Sequence, residues 1–107
     1  MIKSFAELAQ ELSKIAPTKY MYFKDKPNVD YITYVDIGNN QFYADSKTIK
    51  RNTLVSVELY SKQKNEQLEK ELRDMFEYNE VPYEEEETEY NEGDDLFIKE
   101  FIIELHN

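Results

Sequence analysis

The sequence predicts an α+β domain in which an antiparallel sheet of four to five strands carries two helices on one face. Two observations lead to this class. Two segments repeat apolar residues at helical spacing and five are strand-like, in the order α-β-β-β-α-β-β, and strands that follow one another with short links favour antiparallel pairing. The 107 residues are 40% apolar, with nine Tyr and six Phe, which suffices for a single domain over positions 1–107 with one modest core.

The first helix is predicted over residues 4–16. Ser4 and Glu7 have the spacing of a capping box, in which each side chain satisfies a backbone N–H at the start of the helix. Pro17 ends the helix, because the residue before a proline disfavours the helical conformation. The apolar residues that share one face of this helix are Phe5, Leu8, Leu12 and Ile15.

The second helix is predicted over residues 64–78. On its solvent side we expect two ion pairs at i,i+4 spacing, Glu66–Lys70 and Glu69–Arg73, each of which adds a few tenths of a kcal/mol. The apolar stripe that faces the core is Leu68, Leu72, Met75 and Phe76.

Four segments have the composition or the alternation of strands. Residues 19–23 and 31–37 are rich in aromatic and β-branched side chains. Residues 53–61 alternate, and Val55, Val57 and Leu59 lie on one side of the predicted strand. Residues 96–105 alternate in the same way and give the strongest strand pattern in the chain.

The segment between the second and third strands is harder to assign. Gly38, followed by two Asn, is expected to break the second strand. Residues 41–52 combine an aromatic–acidic cluster with a basic stretch. They are predicted to form either a long connection or an extended hairpin arm.

One segment makes the protein acidic. Nine of the 23 acidic residues and none of the 13 basic residues lie at positions 80–95, so this segment carries −9 of the net charge of −10. A disordered segment, a metal loop and a charged strand are the three alternatives. The strand is favoured because a strong strand follows, so residues 81–90 are predicted to pair with it, either at a sheet edge or on an arm that projects beyond the core. Like charges there oppose unwanted strand pairing. Residues 91–95 would form the turn, with Gly93 at a positive-φ position.

Few residues offer catalytic or metal chemistry. The chain has no Cys, a single His at His106, and no glycine-rich phosphate loop, since Gly38 and Gly93 are its only glycines. Residues 91–95 lack the spacing of a calcium-binding loop. We therefore predict no enzyme, with no catalytic, cofactor-binding or metal-binding residue and no cofactor. No apolar run reaches 18 residues, which predicts no membrane contact, and the absence of a basic face predicts no specific nucleic-acid binding.

The order of these features resembles that of the tail-completion, or tail-terminator, proteins in the neck of long-tailed bacteriophages of Gram-positive hosts. A helix that ends near Pro17 precedes two aromatic strands, and "NQFYAD" at 40–45 is similar to an F-x-A-D stretch of that family. "VELY" at 57–60, two lysines that lead into a Glu/Leu helix, a "Y-E…E" strand and a long closing strand follow. The resemblance covers nearly the whole chain, and it rests on the order of the motifs more than on any one of them.

This resemblance implies a structural protein of the phage or prophage that caps the tail tube and joins it to the head connector. Proteins of this family act as rings, commonly hexamers, and can be monomers in solution before they assemble on the tail. The implied partners are further copies of the chain, the tail tube protein and the head connector protein, and DNA passes through the ring. The implied location is the neck of the virion, after assembly in the host cytoplasm. A tail terminator and an adjacent connector of similar fold both remain open.

A closed ring needs a head-to-tail interface, and the segment between the second and third strands is a candidate to carry it. Two of its aromatic residues are equally well explained as ordinary core or rim side chains. The candidate inter-subunit contacts are Phe42, Tyr43, Asp45, Lys47, Lys50 and Arg51.

In such a ring the acidic segment would face the channel, where carboxylates repel DNA phosphates and prevent stalling. In a regular strand Glu85, Glu87 and Glu89 share one face, whereas Glu84 and Glu86 share the other. The candidate channel-facing residues are Glu84, Glu85, Glu86, Glu87 and Glu89. The alternative function is that of a small acidic protein that mimics DNA and inhibits a host DNA-processing enzyme, although mimicry favours charges spread over an extended surface.

Overall fold

The computed structural model describes residues 2–44 and 48–106, which form two helices and six strands. The predicted α+β class is confirmed. The strand number and order are corrected, because the acidic segment forms two short strands instead of one. The elements are α1 (Phe5–Ser13), β1 (Thr18–Tyr20), β2 (Tyr31–Ala44), β3 (Thr48–Ser61), α2 (Glu66–Tyr78), β4 (Tyr83–Glu85), β5 (Glu89–Asn91) and β6 (Leu96–His106).

The six strands form one sheet in the order β1-β2-β3-β6, with β4 and β5 one after the other along the outer edge of β6. All pairs are antiparallel except β1 with β2, where Thr18 lies opposite Ile32 in a parallel register. The predicted all-antiparallel sheet is therefore wrong at this edge. β1 ends early because Met21 adopts a left-handed conformation, with φ of 67°, and the chain turns away from the sheet.

Both helices pack on one face of the sheet and close a single core. The alternation predicted for β3 and the apolar stripes predicted for both helices are confirmed. Side chains on this face are removed from water, and at about 25 cal/mol per Å² of apolar area their burial is the main favourable term in folding. The fully buried side chains are Leu8, Leu12, Ile32, Val55, Val57, Leu59, Leu72, Phe76, Phe101 and Ile103.

The helix starts follow from their caps. Ser4 Oγ accepts a hydrogen bond from the backbone N–H of Glu7 at 3.2 Å, as the capping box predicts. The Glu7 carboxylate accepts from the backbone N–H of Lys3 at 3.3 Å, one residue earlier than in the standard box. At α2, Asn65 accepts from the N–H of Leu68 at 3.1 Å and donates to Asp30 at 2.7 Å, which ties the helix to the loop before β2.

The ion pairs predicted along α2 are wrong. Lys70 pairs with Asp74 at 2.6 Å instead of Glu66. Glu69 is only 4% exposed, and both its carboxylate oxygens accept hydrogen bonds from Lys64 at 2.8 Å. The partner of this buried carboxylate therefore lies just before the first residue of α2. Arg73, predicted to pair with Glu69, reaches β4 instead.

The extended hairpin arm, one of the two alternatives for residues 41–52, is what the structure contains. β2 and β3 pair from Tyr31 opposite Tyr60 out to Ala44 opposite Thr48. The predicted break at Gly38 is wrong, because the strand continues through a bulge between Asp36 and Gly38, where Gly38 takes φ of 136°. The molecule measures 49 by 25 by 24 Å. No helix in the described chain is long and apolar enough to cross a membrane.

Candidate interaction surfaces

The sheet face opposite the helices is named here the acidic sheet face. Side chains alternate along a strand, so the residues between the buried positions of β3 and β6 point to this side. They include Glu58 on β3, and Glu100 and Glu104 on β6, none of which belongs to the acidic segment. Leu54, Ser56, Tyr60, Ile98 and Ile102 lie on the same face.

A bulge turns more of the acidic segment towards this face than its sequence predicts. Glu85 lies opposite Phe101, whereas Glu89 lies opposite Ile98, so four steps along the acidic segment match three along β6. The extra residue reverses the alternation of side chains. Glu89 therefore lies on the acidic sheet face with Glu84, although a regular strand would place them on opposite faces.

Strands β3 and β6, together with the sheet edge that contains β4 and β5, line a groove of about 420 Å³, named here the acidic groove. Five of its six lining residues are carboxylates, and none is basic. They are Glu58, Glu86, Glu87, Glu89, Ile98 and Glu100. Among the ion pairs of the described residues, none involves a carboxylate of this groove.

Burial and mutual repulsion mark the inner carboxylates. Loss of water around the half-buried Glu58 raises the pKa of its carboxyl, and the charges of Glu100 and Glu89 raise it further. The hydroxyl of Tyr60 donates to Glu58 at 3.1 Å and lowers the same pKa, which only partly offsets these effects. Burial, with the nearby Glu58 charge, raises the pKa of Tyr60 to about 12. Ser56 Oγ donates to Glu100 at 2.5 Å. Among the described residues, Glu58 and Glu100 thus accept from hydroxyl groups and form no ion pair with a cation.

Glu85 has the opposite surroundings. It lies on the helix side of the sheet edge, where Arg73 of α2 is 3.1 Å away and Lys99 of β6 is 3.3 Å away. Lys99 also donates to the backbone carbonyl of Glu86 at 2.7 Å and lies 5.6 Å from the centre of the Phe101 ring. One member of the predicted channel-facing set is therefore separated from the other four.

The turn between β5 and β6 has a different geometry from the one predicted. The positive φ falls at Asp95, at 53°, and not at Gly93. Asp95 also accepts a hydrogen bond from the hydroxyl of Tyr90, and Asp94 forms an ion pair with Lys26 at 3.1 Å, which holds the turn against the loop before β2. An acidic residue tolerates this conformation better than most side chains because its short carboxylate bonds locally.

The described part of the hairpin arm consists of residues 41–44 and 48–51. Phe42 lies opposite Lys50 in the backbone pairing, and Tyr43 and Arg51 lie within the same two-stranded stretch. Two other candidate contacts, Asp45 and Lys47, lie outside the described residues. Backbone pairing thus places four of the six candidates on one ribbon.

Sequence reasoning missed Glu58 and Glu100 as members of the acidic surface. Their signal was present, because each stands at the polar position of a strongly alternating strand. The pairing of β3 with β6 sets these two residues directly opposite one another. In the part of the chain that the structure describes, no group of three or more His, Cys, Asp or Glu side chains is arranged to hold a metal ion.

No family model matches the chain, and no curated protein matches it. The resemblance to tail-completion proteins stays a prediction drawn from the order of its motifs.

Proposed function

We propose that the protein is a non-catalytic structural subunit that caps the tail tube of a long-tailed bacteriophage and joins it to the head connector as a ring. The observation that carries this proposal is the hairpin arm. Within the described chain, residues 41–44 and 48–51 pair only with each other, while β6 stops at the pairing of His106 with Asn52.

An isolated two-stranded ribbon is marginal in water, because it lacks a third strand or a packed face. The four described residues on each side of the arm extend about 13 Å beyond the sheet at a rise of about 3.3 Å per residue. Such an element is stabilised when it lies against a neighbouring subunit. A heterologous contact of this kind closes into a ring when the rotation between subunits allows it.

The acidic sheet edge suits the wall of a channel for DNA. Glu84, Glu86 and Glu87 are exposed, and no ion pair of the described residues neutralises them. Carboxylates there would add no phosphate contact and would let DNA pass. Glu85 is not included among these channel-facing residues, because Arg73 and Lys99 neutralise its charge.

Particles assembled without this protein test the proposal. In the phage or prophage that encodes it, its deletion is expected to leave DNA-filled heads beside separate tails with abnormal ends, as seen by electron microscopy. Normal infectious particles would refute the assignment.

Complementation of the deletion links the phenotype to the arm. Phe42→Asp with Tyr43→Asp should fail to restore joined particles, because it places two charges on the arm. The matched control is Tyr78→Asp on α2, a side chain that is 88% exposed, and this variant should restore them. If both variants restored joined particles equally well, the arm would not be needed for joining heads to tails.

One observation favours the second candidate, a DNA-mimicking inhibitor. The acidic surface is larger in space than along the chain, since Glu58, Glu100 and Glu104 join it from outside the acidic segment. Tight binding to a DNA-cleaving host enzyme, competed by duplex DNA, would support this function. Unchanged cleavage rates in the presence of excess protein would exclude it for that enzyme.

A further inference from the structure

A small pocket, named here the aromatic pocket, lies at the end of the acidic sheet face that is remote from the hairpin arm. It has a volume of about 140 Å³ and lies between the loop that joins β1 to β2, the turn that joins β5 to β6, and the paired ends of β2 and β3. Its lining includes four aromatic side chains, one ammonium group and one carboxylate. They are Tyr22, Phe23, Tyr31, Tyr60, Lys26 and Asp94.

The inner wall of the aromatic pocket is fixed by contacts between its rings. Tyr31 stacks on Tyr60 with the ring centres 4.8 Å apart, and Phe23 meets Tyr31 in a T-shaped arrangement at 5.2 Å. Tyr31 is only 5% exposed, and the hydroxyl of Tyr60 donates to Glu58. These rings are therefore ordered before a ligand arrives, which lowers the entropy cost of binding.

The outer wall is built on a strained turn. The backbone N–H of Tyr22 donates to the carbonyl of Tyr20 at 2.8 Å, across Met21, whose φ is 67°. A three-residue turn with positive φ is rare for a residue other than glycine, and strain of this kind is concentrated at ligand sites. Met21 and Tyr22 both line the pocket and are 57% and 68% exposed, so a ligand would remove apolar surface from water there.

The aromatic pocket already holds a cation of the chain itself. Lys26 Nζ lies 3.1 Å from Asp94, and the two side chains are 53% and 47% exposed. The hydrogen bond to Asp94 raises the pKa of Lys26, and Tyr31 adds to this effect. On the sheet side, Tyr60 bonds to a second acid, Glu58. The surroundings thus favour a positive group over a negative one, and the half-exposed ion pair contributes little stability, so it opens readily.

The lining and the size indicate which cation fits. Aromatic side chains attract organic cations, and an aromatic cage is the common receptor for quaternary ammonium groups. A pocket well below about 300 Å³ holds a single head group and not a whole drug-sized ligand. A guanidinium group needs acceptors for five N–H bonds, whereas a quaternary ammonium has no N–H and suits walls made mostly of rings.

We propose that the aromatic pocket binds a quaternary ammonium group, with Asp94 as its counter-ion, and that the ligand displaces the ammonium of Lys26. The group belongs either to a small molecule of the choline type or to a trimethylated lysine side chain. The site uses no residue of the hairpin arm and leaves Glu84, Glu86 and Glu87 uncovered. It therefore goes beyond the proposed function and does not depend on it.

Titration of the whole chain with choline chloride at low ionic strength, followed by ¹H–¹⁵N NMR spectroscopy, tests the site. Choline should bind about tenfold more tightly than 3,3-dimethyl-1-butanol, which has the same shape and no charge. The largest shifts should fall at residues 21–23, 31, 60 and 94. Equal affinities, no saturable binding of choline, or the largest shifts elsewhere would overturn the proposal.

Removal of the resident cation should strengthen binding. Lys26→Met frees Asp94 and should bind choline about threefold or more tightly than the wild type, because the ligand no longer competes with an ammonium group. The matched control Lys24→Met removes the same charge outside the pocket lining and should change the affinity by less than about twofold. An equal gain in both variants would mean that net charge sets the affinity, and the displacement of Lys26 would be refuted.

Two further variants remove the groups that hold the ligand. Tyr22→Leu loses a ring and Asp94→Asn loses the counter-ion, and each should weaken choline binding about fivefold or more. Both side chains are exposed, so the fold should be kept, as a circular dichroism spectrum would show. The control Tyr78→Leu removes an exposed ring on α2 and should bind as the wild type does. Wild-type affinity in both pocket variants would contradict the site.

A parallel titration with Nα-acetyl-Nε-trimethyllysine amide separates the two sources of the ligand. Tighter binding of this compound than of choline assigns the pocket to a modified protein side chain, and the reverse order assigns it to a small molecule. Failure of both compounds to bind would refute the proposal.

Discussion

The two faces of the sheet are built from the same strands and have opposite chemistry. On the helix side, Val57 of β3 and Phe101 of β6 are fully buried in the core. One residue along each strand, Glu58 and Glu100 lie on the other face without a basic partner in any of the described ion pairs. Because side chains alternate between the two faces of a strand, the same segment contributes both to the core and to the acidic surface.

The two faces also treat charge differently. Glu85, on the helix side of the sheet edge, pairs with Arg73 and Lys99, and the buried Glu69 of α2 pairs with Lys64. In the groove, Glu100 accepts from the hydroxyl of Ser56 and Glu58 from that of Tyr60, and the charges of Glu100 and Glu89 act on Glu58. Among the described residues, charge is therefore neutralised by cations at Glu85 and Glu69 and is not neutralised by them in the groove.

The largest difference between the two faces is expected from neighbouring residues of β6. Phe101→Ala should lower the free energy of unfolding by about 3–5 kcal/mol, because it leaves a cavity among fully buried side chains. Ile102→Ala, on the partly exposed face, should cost about 1 kcal/mol, since less apolar area is lost. Urea denaturation followed by circular dichroism measures both. Equal losses would mean that the acidic sheet face is packed as tightly as the core.

The paired acids of the helix side should depend on their partners. Lys64→Met leaves the buried Glu69 carboxylate without its donor and should cost about 1–3 kcal/mol of unfolding free energy. The matched control is Lys70→Met on α2, whose pair with Asp74 is exposed; its loss should cost less than about 0.5 kcal/mol. Thermal unfolding of both variants checks this, and a loss at Lys70 as large as that at Lys64 would contradict it.

The elements governed by local pattern were the most predictable from the sequence. Ser4 marks the start of α1, and the stripe that includes Leu72 faces the core, because capping and helical spacing act within a few residues. The left-handed turn at Met21 and the bulge at Gly38 escaped prediction. Both depend on how a strand pairs with distant partners, which composition alone does not encode.

The candidate surface was predicted in part, for the same reason. The charge of the acidic segment and its edge position beside the final strand were predictable, and the pairing of β4 and β5 with β6 confirms that position. The bulge that moves Glu89 to the acidic sheet face was not, since one extra residue leaves no trace in the composition. The partner of Glu85 also escaped prediction, because Arg73 approaches it only through the packing of α2.

Two glutamates of the acidic segment should respond with opposite signs. Glu85→Gln removes the partner of Arg73 and Lys99 and should lower the unfolding free energy by about 0.5–1 kcal/mol, the range of partly exposed pairs. Glu89→Gln removes a repulsive charge beside Glu58 and should raise it by a few tenths of a kcal/mol, and the gain should shrink in high salt. Parallel urea titrations at low and high salt measure both. A change in unfolding free energy of the same sign in both variants would show that the two sides of the sheet edge do not differ in how they treat an acidic side chain.

The smallest effect is expected from pH at Glu58. Burial and the neighbouring acids raise the pKa of this carboxyl in the folded state, so its ionised form destabilises the fold at neutral pH. As pH falls through the raised folded pKa the folded state takes up the proton first, and the penalty is gone below the ordinary value of 4.5. Glu58→Gln keeps an acceptor for Tyr60 and should be more stable than the wild type at pH 7 by less than about 0.5 kcal/mol, because the site is half exposed. That gain should disappear towards pH 4.5 in a series of denaturation curves, and a gain that is independent of pH would show that the ionised Glu58 carboxylate is not its cause.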